Sequence, residues 1–127
     1  MYNDWGQRLS ERIPFRNAAE AERDWASLKE RLSLGQSVTG IVITKAPFGA
    51  WLDIGVGFPA LLEIVCIAGL TPERYQADDW CPVGSEVTAL VGTFNDRNHQ
   101  VGLWQVKPGE QSKVEQSVAR EPGMRTD

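Results

Sequence analysis

The sequence GQSVTGIVITKAPFGAWLDIGVGFPALLE, residues 35–63, has the pattern of two or three β-strands that turn back on themselves. Residues 38–43 are rich in β-branched side chains, which fit a pleated strand better than a helix. Gly40 interrupts this run, and an isolated glycine inside a strand usually marks a bulge or a sharp bend. A strongly bent first strand followed by a meander predicts a small β-barrel.

The second part of this stretch alternates between two faces. After a Pro-Phe-Gly break, Leu52 and Ile54 share one side of the predicted strand, while Trp51 and Asp53 share the other. A Gly-Val-Gly turn follows, and a Leu-Leu pair restarts an extended segment. The apolar pair Leu52 and Ile54 is therefore expected to face the barrel interior.

Residues 17–32 carry the clearest helical pattern in the chain. Apolar side chains recur at spacings of three and four along one stripe: Ala18, Ala21, Trp25, Leu28 and Leu32. Asn17 is a favourable N-cap, and Glu20 lies three residues later, as in a capping box. We expect this helix to pack on its own barrel with Trp25 as the main anchor; a partner-binding stripe is the alternative.

The segment before this helix, residues 1–16, is ambiguous. Arg8, Arg12 and Arg16 are spaced four apart and would line one side of a helix. Pro14 argues against a continuous helix, because proline removes a backbone donor and clashes with the preceding turn. We expect a loosely packed arm with solvated charges.

The second half of the chain predicts one short helix, two further strands and a tail. Residues 71–73, Thr-Pro-Glu, have the pattern of a helix start. Residues 86–94 alternate as a strand, and residues 100–104 return after a polar turn as the other half of a hairpin. Residues 107–127 contain almost no large apolar side chain and are expected to form a flexible tail.

Composition excludes several classes of function. The chain has 127 residues and a net charge of −4, which favours one domain and argues against a polybasic nucleic-acid or membrane surface. No apolar run is long enough to cross a bilayer, and no signal peptide is evident. Cys66 and Cys81 are too few for a disulfide scaffold, so free thiols and a cytoplasmic location are expected.

Catalysis finds little support in the sequence. His99 is the only histidine, and it lies in a polar turn without a nucleophile nearby in the sequence. One histidine with two distant cysteines does not make a zinc site, which usually needs four protein ligands. We therefore expect a non-enzymatic protein without a metal or cofactor.

Several spaced motifs together resemble the S1 RNA-binding domain. They are Gly35-x-x-Val38-x-Gly40-x-Val42, Phe48-Gly49-Ala50-Trp51-Leu52-Asp53-Ile54-Gly55, Ala60-Leu61-Leu62, Gly84-x-Glu86-Val87-x-Ala89-x-Val91 and Val101-x-Leu103. The resemblance implies an all-β core, a five-stranded OB-fold barrel, with the short helix between strands three and four. It divides the chain into an N-terminal arm and helix (1–34), the S1-type barrel (35–106) and the tail (107–127).

The resemblance also implies where RNA would bind. The two aromatics of the family's Phe-Gly-x-Phe motif correspond to Phe48 and Trp51. Other contact positions of the family carry different residues here: Glu63 in place of a histidine, Asn95 of an aspartate, Gln100 of an arginine and Trp104 of a serine. The stacking platform is thus retained, while the basic and histidine contacts are replaced.

Two functions follow from these observations. The first is binding of single-stranded RNA by stacking on Phe48 and Trp51, with Lys45, Arg97 and His99 as weak polar contributors. Trp51 could instead pack beneath the N-terminal helix or Trp104. The second function is a protein-interaction module that has lost RNA binding. Residues 35–107 carry seven acidic and only four basic side chains, a balance that would repel phosphates.

Overall fold

The computed structural model describes residues 4–14 and 16–107, and its strands form a closed five-stranded barrel. The strands are β1 (Ser37–Ala46), β2 (Gly49–Asp53), β3 (Ala60–Glu63), β4 (Glu86–Asn95) and β5 (Gln100–Trp104). The helices are α1 (Trp5–Arg12), α2 (Ala18–Arg31) and α3 (Pro72–Gln76), and a single 3₁₀ turn spans Ile64–Cys66. This is the predicted OB-type barrel, with an N-terminal helix and a short helix between β3 and β4.

The strand order around the barrel is β1-β2-β3-β5-β4. All neighbouring pairs are antiparallel except β3 and β5, which are parallel and close the barrel. β1 serves two partners, because its first half pairs with β4 and its second half with β2. A single long strand therefore belongs to both sides of the barrel, as expected from its predicted bend.

Two glycines allow the strands to approach each other closely. A methyl group on Gly40 would lie 2.8 Å from the carbonyl oxygen of Asp53, where β1 passes from β4 to β2. A methyl group on Gly49 would lie 2.5 Å from the carbonyl oxygen of Leu62 on β3. Both contacts are with backbone, so no side-chain movement could relieve them.

The core fills the barrel and extends under α2. The alternation predicted for β4 is confirmed, since Ala89 and Val91 are buried while Thr88 and Leu90 face solvent. In β2, Leu52 is buried as predicted, but Trp51 on the opposite face is buried as well and Ile54 is only half-buried. The buried apolar cluster consists of Trp25, Leu28, Leu32, Val42, Ala50, Leu52, Phe58, Ala60, Leu62, Cys66, Ile67, Leu70, Trp80, Ala89, Val91, Val101 and Leu103. Both cysteines are free thiols, and burial raises the pKa of Cys66 to about 11, so this thiol is protonated at neutral pH.

α2 is capped and oriented as the sequence predicts. The side chain of Asn17 accepts a hydrogen bond from the backbone N–H of Glu20 at 2.8 Å. Trp25 and Leu28 are buried on the barrel side of the helix. Thr71 caps α3 in the same way, accepting from the backbone N–H of Arg74 at 3.1 Å.

The N-terminal arm contains a helix, whereas a loosely packed arm was expected. Residues 5–12 form helix α1, which ends before Pro14 and so avoids the clash that argued against a helix there. Its sequence signal is the four-residue spacing of Trp5, Leu9 and Ile13, which are all partly shielded from solvent. The predicted tail falls almost entirely on residues 108–127, outside the described part of the chain. None of the described helices is long and apolar enough to span a membrane.

The close approach at Gly49 generates a stability prediction. Gly49→Ala should lower the free energy of unfolding by about 1–3 kcal/mol, because the new methyl collides with the β3 backbone. The matched change Gly6→Ala meets nothing within 4 Å and replaces glycine in a helix, so it should be neutral or slightly stabilising. Urea denaturation of both variants measures the effect; equal unfolding midpoints would contradict it.

Candidate nucleic-acid interface

One side of the barrel, here called the outer face, is formed by the outward side chains of β2, β3 and β5. Strand pairing aligns Trp51 with Leu61 and Leu61 with Gly102 across the three strands. Gly49 is likewise aligned with Glu63. Because Val101 and Leu103 point into the core, their neighbours on β5 belong to the outer face. The outer face therefore carries Trp51, Leu61, Glu63, Gln100, Gly102 and Trp104.

The two aromatic residues of the predicted stacking platform lie side by side, at 6.2 Å between ring centroids and edge to face. Phe48 occupies the β1–β2 turn and is 39% exposed. Trp51 points away from the barrel interior, yet it is only 2% exposed. Of these two rings, only Phe48 is accessible to a ligand in this conformation.

Helix α1 covers Trp51. The indole of Trp5 lies nearly parallel to that of Trp51, with 5.8 Å between centroids and an interplanar angle of 18°. Trp5 also meets the edge of Phe48 at 5.3 Å. At the other end of α1, Arg12 Nε forms an ion pair with Asp53 Oδ2 at 3.0 Å. The sequence had suggested burial of Trp51 beneath α2 or Trp104, whereas the covering residue is Trp5.

The covered indole leaves one polar group without a partner. Trp51 Nε1 is buried and makes no hydrogen bond among the described residues. An indole N–H normally finds an acceptor when it is buried, because an unsatisfied donor costs about 1–3 kcal/mol. The contact between α1 and β2 is therefore less favourable than its stacking geometry alone suggests.

A groove lies beside the aromatic rings. It has a volume of about 210 Å³ and brings together the four replaced positions that the family resemblance assigns to RNA contact: Glu63, Asn95, Gln100 and Trp104. The indole of Trp104 forms one wall and lies over Gly92, where an added methyl would come within 2.4 Å of the ring. The groove thus combines one carboxylate, two amides and one partly exposed aromatic surface.

The β4–β5 hairpin is fixed by its own side chains. Asn95 Oδ1 accepts a hydrogen bond from the backbone N–H of Asn98 at 3.1 Å and so closes the turn. His99 adopts a positive φ of 54°, packs against Trp25 at 5.4 Å between ring centroids and lies 3.2 Å from a carboxylate oxygen of Glu22. Arg97 is exposed at the hairpin, and no ion pair of its guanidinium is found within the described ranges.

Lys45 is placed where it cannot readily meet a ligand. Its side chain is 7% exposed and pairs with Asp78. The ammonium also donates to the carbonyl oxygen of Trp80 at 2.8 Å and lies 4.6 Å from the centre of the Trp80 ring. This geometry supports a structural role for Lys45, which holds the segment after α3 against β1.

Positive charge is scarce around the outer face. Most Lys and Arg side chains in the described part of the chain are already paired with carboxylates: Arg8 with Asp4, Arg12 with Asp53, Arg16 with Asp24, Lys29 with Asp96, Lys45 with Asp78 and Arg74 with Asp79. Binding that relied on phosphate neutralisation would have to break some of these pairs. Residues 4–14 and 16–107 contain no group of three metal-ligating side chains.

A second cavity, of about 360 Å³, separates α1 from α2 and the hairpin. Its walls include Trp5, Leu9, Arg16, Phe58 and His99. Arg16 lies over the Phe58 ring at 4.3 Å and is also paired with Asp24. The cavity exists only while α1 rests on the barrel, so it belongs to the covered conformation of the outer face.

No family model matches the chain, and no curated protein matches it in sequence. Solved structures do resemble it. A chain of the a/eIF2alpha–aDim2p–rRNA complex from Pyrococcus horikoshii is 23% identical, with a TM-score of 0.50, and the match covers 69% of this chain and 54% of that one. GSP13 from Bacillus subtilis is 16% identical, with a TM-score of 0.50 and coverages of 76% and 84%.

A third structure is RNase R from Mycoplasma genitalium in complex with ribose-methylated single-stranded RNA. It is 14% identical, with a TM-score of 0.52, and the match covers 68% of this chain but 15% of that one. At such identities the likeness shows a shared fold. The fold is the five-stranded OB barrel that the sequence motifs implied.

The contact between α2 and the β4–β5 hairpin, in which Trp25 Nε1 and Lys29 Nζ both donate to Asp96 Oδ1, generates a prediction about pH. Hydrogen bonds from Lys29 and Trp25 hold the pKa of Asp96 below its ordinary value of 3.8. A depressed carboxyl pKa adds stability above the ordinary pKa, and that stability is lost as pH falls through the lower folded value. Asp96→Asn should therefore be less stable than the parent at neutral pH, and the difference should shrink toward about pH 2.

Thermal melts across this pH range measure the difference between the parent and Asp96→Asn. Glu30→Gln is a suitable control, because Glu30 is exposed on the same helix and has no ion pair within the described residues. A stability difference for Asp96→Asn that is the same at neutral and acidic pH would show that the charge of Asp96 is irrelevant.

Proposed function

We propose that this protein binds single-stranded nucleic acid, with RNA as the ligand, and has no enzymatic activity of its own. The observation that carries the proposal is the continuity of the outer face. The backbone carbonyl of Phe48 accepts a hydrogen bond from the N–H of Ile64, which joins the β1–β2 turn to the end of β3, where Glu63 lines the groove. Aromatic surface and hydrogen-bonding amides thus adjoin on one side of an OB barrel.

The chemistry of this face suits unpaired bases better than a duplex. A base stacked on an aromatic ring contributes about 1–3 kcal/mol, and every base offers such a surface. The amides of Asn95 and Gln100 each carry a donor and an acceptor that suit exposed base edges. The solved complexes of structurally similar proteins with rRNA and with single-stranded RNA support the same choice of ligand.

The scarcity of free cations shapes the expected affinity. Because most basic side chains within residues 4–14 and 16–107 are paired internally, the barrel would neutralise few phosphates, and binding should depend weakly on salt. Arg97 is the exposed cation of the hairpin and the best candidate for a phosphate contact. The two free cysteines support a reducing, cytoplasmic location as part of the proposal.

A titration with mixed-sequence single-stranded RNA tests the proposal. Phe48→Ala should weaken binding by roughly 1–3 kcal/mol, because it removes an exposed stacking surface without opening the core. Leu34→Ala is the matched control, since Leu34 is an exposed apolar side chain on the α2–β1 connection. Absence of saturable binding at low salt, or equal losses in both variants, would refute RNA stacking on Phe48.

The same titration at several salt concentrations tests the phosphate contact. Arg97→Ala should weaken binding to all sequences alike and lower the salt dependence by about one counterion. Arg31→Ala removes an exposed charge from the end of α2 and controls for the change in net charge. An unchanged salt slope for Arg97→Ala would remove Arg97 from the interface.

A basic protein partner is the second candidate. It is favoured by Glu63, whose carboxylate lines the groove, and by the net charge of −4. Capture of partners with the tagged full-length chain, with and without nuclease, separates the two candidates. Partners that persist after nuclease treatment and are lost with Glu63→Gln would favour protein binding over RNA binding.

A further inference from the structure

Helix α1 occupies the place that a nucleic-acid base would need on Trp51. The indole of Trp5 lies almost parallel to that of Trp51, which is the arrangement of a base on an aromatic platform. Trp5 also contacts Phe48, so one side chain of α1 touches both rings of the platform. A ligand cannot stack on Trp51 until Trp5 has left.

The covering helix packs on β1 and, through Trp5 and Arg12, on β2, but none of its residues is fully buried. α1 has eight residues, contains no buried residue and receives no side-chain hydrogen bond at its N-terminus. Isolated helices of this length are unstable in water, so α1 depends on its contact with the barrel to stay folded. Beyond the ring contacts of Trp5, the Arg12–Asp53 ion pair joins α1 to β2, and both of its side chains are partly exposed.

The buried N–H of Trp51 favours release of α1 from the covered surface. Trp51 Nε1 is buried with no acceptor within the described residues, so the closed state leaves an indole donor unsatisfied. In an open state this N–H could bond to water or to a ligand oxygen. Opening therefore regains a hydrogen bond while it loses the stacking contact.

From these observations we propose that α1 is an intramolecular lid, in which Trp5 stacks on Trp51 in place of a base and competes with single-stranded RNA for the outer face. The proposal rests on the proposed function, and it adds a closed state whose population sets the apparent affinity. When only a fraction of molecules is open, the apparent dissociation constant rises in inverse proportion to that fraction. Contacts of α1 then become determinants of RNA affinity without touching RNA.

Two substitutions in α1 should change RNA affinity in opposite directions. Trp5→Ala removes the competing ring and should tighten binding by about two- to tenfold, the range of a single aromatic contact. Gly6→Ala favours the helix, meets no atom within 4 Å and should weaken binding by up to about fivefold. Gln7→Ala is the neutral control, because the exposed Gln7 side chain donates a hydrogen bond to Glu11 of the same helix and makes no ion pair or ring contact with the described part of the barrel.

Hydrogen exchange of the full-length chain supplies a second readout that does not depend on RNA affinity. In the free protein the α1 amides should exchange faster than those of β1, since the lid opens without unfolding the barrel. Saturating RNA of about 12 nucleotides should accelerate α1 exchange further, whereas a helix that forms part of the interface would be protected. If Trp5→Ala fails to fold, Ser10→Pro breaks the middle of α1 and tests the same release.

The outcomes distinguish the lid from the proposed function. Tighter binding by Trp5→Ala, weaker binding by Gly6→Ala and faster α1 exchange with RNA support the lid. Binding that is unchanged or weakened by Trp5→Ala, or α1 amides as protected as β1, overturns the lid and leaves RNA binding intact. If neither the parent nor any open variant binds RNA, the proposed function fails, and the lid proposal fails with it.

Discussion

The parallel pairing of β3 with β5 is the contact on which the rest of the molecule depends. β3 contributes only four residues, and its inward side chains Ala60 and Leu62 are fully buried against the other strands. Because side chains alternate along a strand, a slip of one residue would turn Leu61 and Glu63 inward in place of Ala60 and Leu62 and so bury a carboxylate. The same register decides that Glu63, Gln100 and Trp104 share the outer face.

The basic side chains of the described residues mainly form ion pairs within the molecule. Arg12, Lys29 and Lys45 tie together parts of the chain that are far apart in sequence: α1 to β2, α2 to the hairpin, and β1 to the segment after α3. Each exposed ion pair contributes little to stability, but each also occupies a cation that could otherwise contact a phosphate. RNA binding of the kind proposed above would therefore depend on ring stacking and amide hydrogen bonds more than on charge.

The outer face and α1 are best understood as one system. Trp51 faces outward from the barrel, yet Trp5 completes its burial, so the same surface can serve folding or binding but not both at once. A ligand can displace α1 only if it binds the open state better than the closed state. In the proposed lid, the unsatisfied Trp51 N–H and the short length of α1 would both lower the free energy needed for opening.

Local sequence determined the elements of this fold and most of their faces. β-branched runs, period-two alternation and the caps at Asn17 and Thr71 act over a few residues, so they could be read without coordinates. The family resemblance also implied contact positions at Glu63, Asn95 and Gln100, and the structure places these three residues in one groove. Only the tertiary structure decided that Trp51 and Lys45 are buried. Strand alternation predicts that Trp51 points out of the barrel, but its exposure to solvent depends on α1, which begins at residue 5. In the same way, the burial of Lys45 depends on its contacts with Asp78 and Trp80.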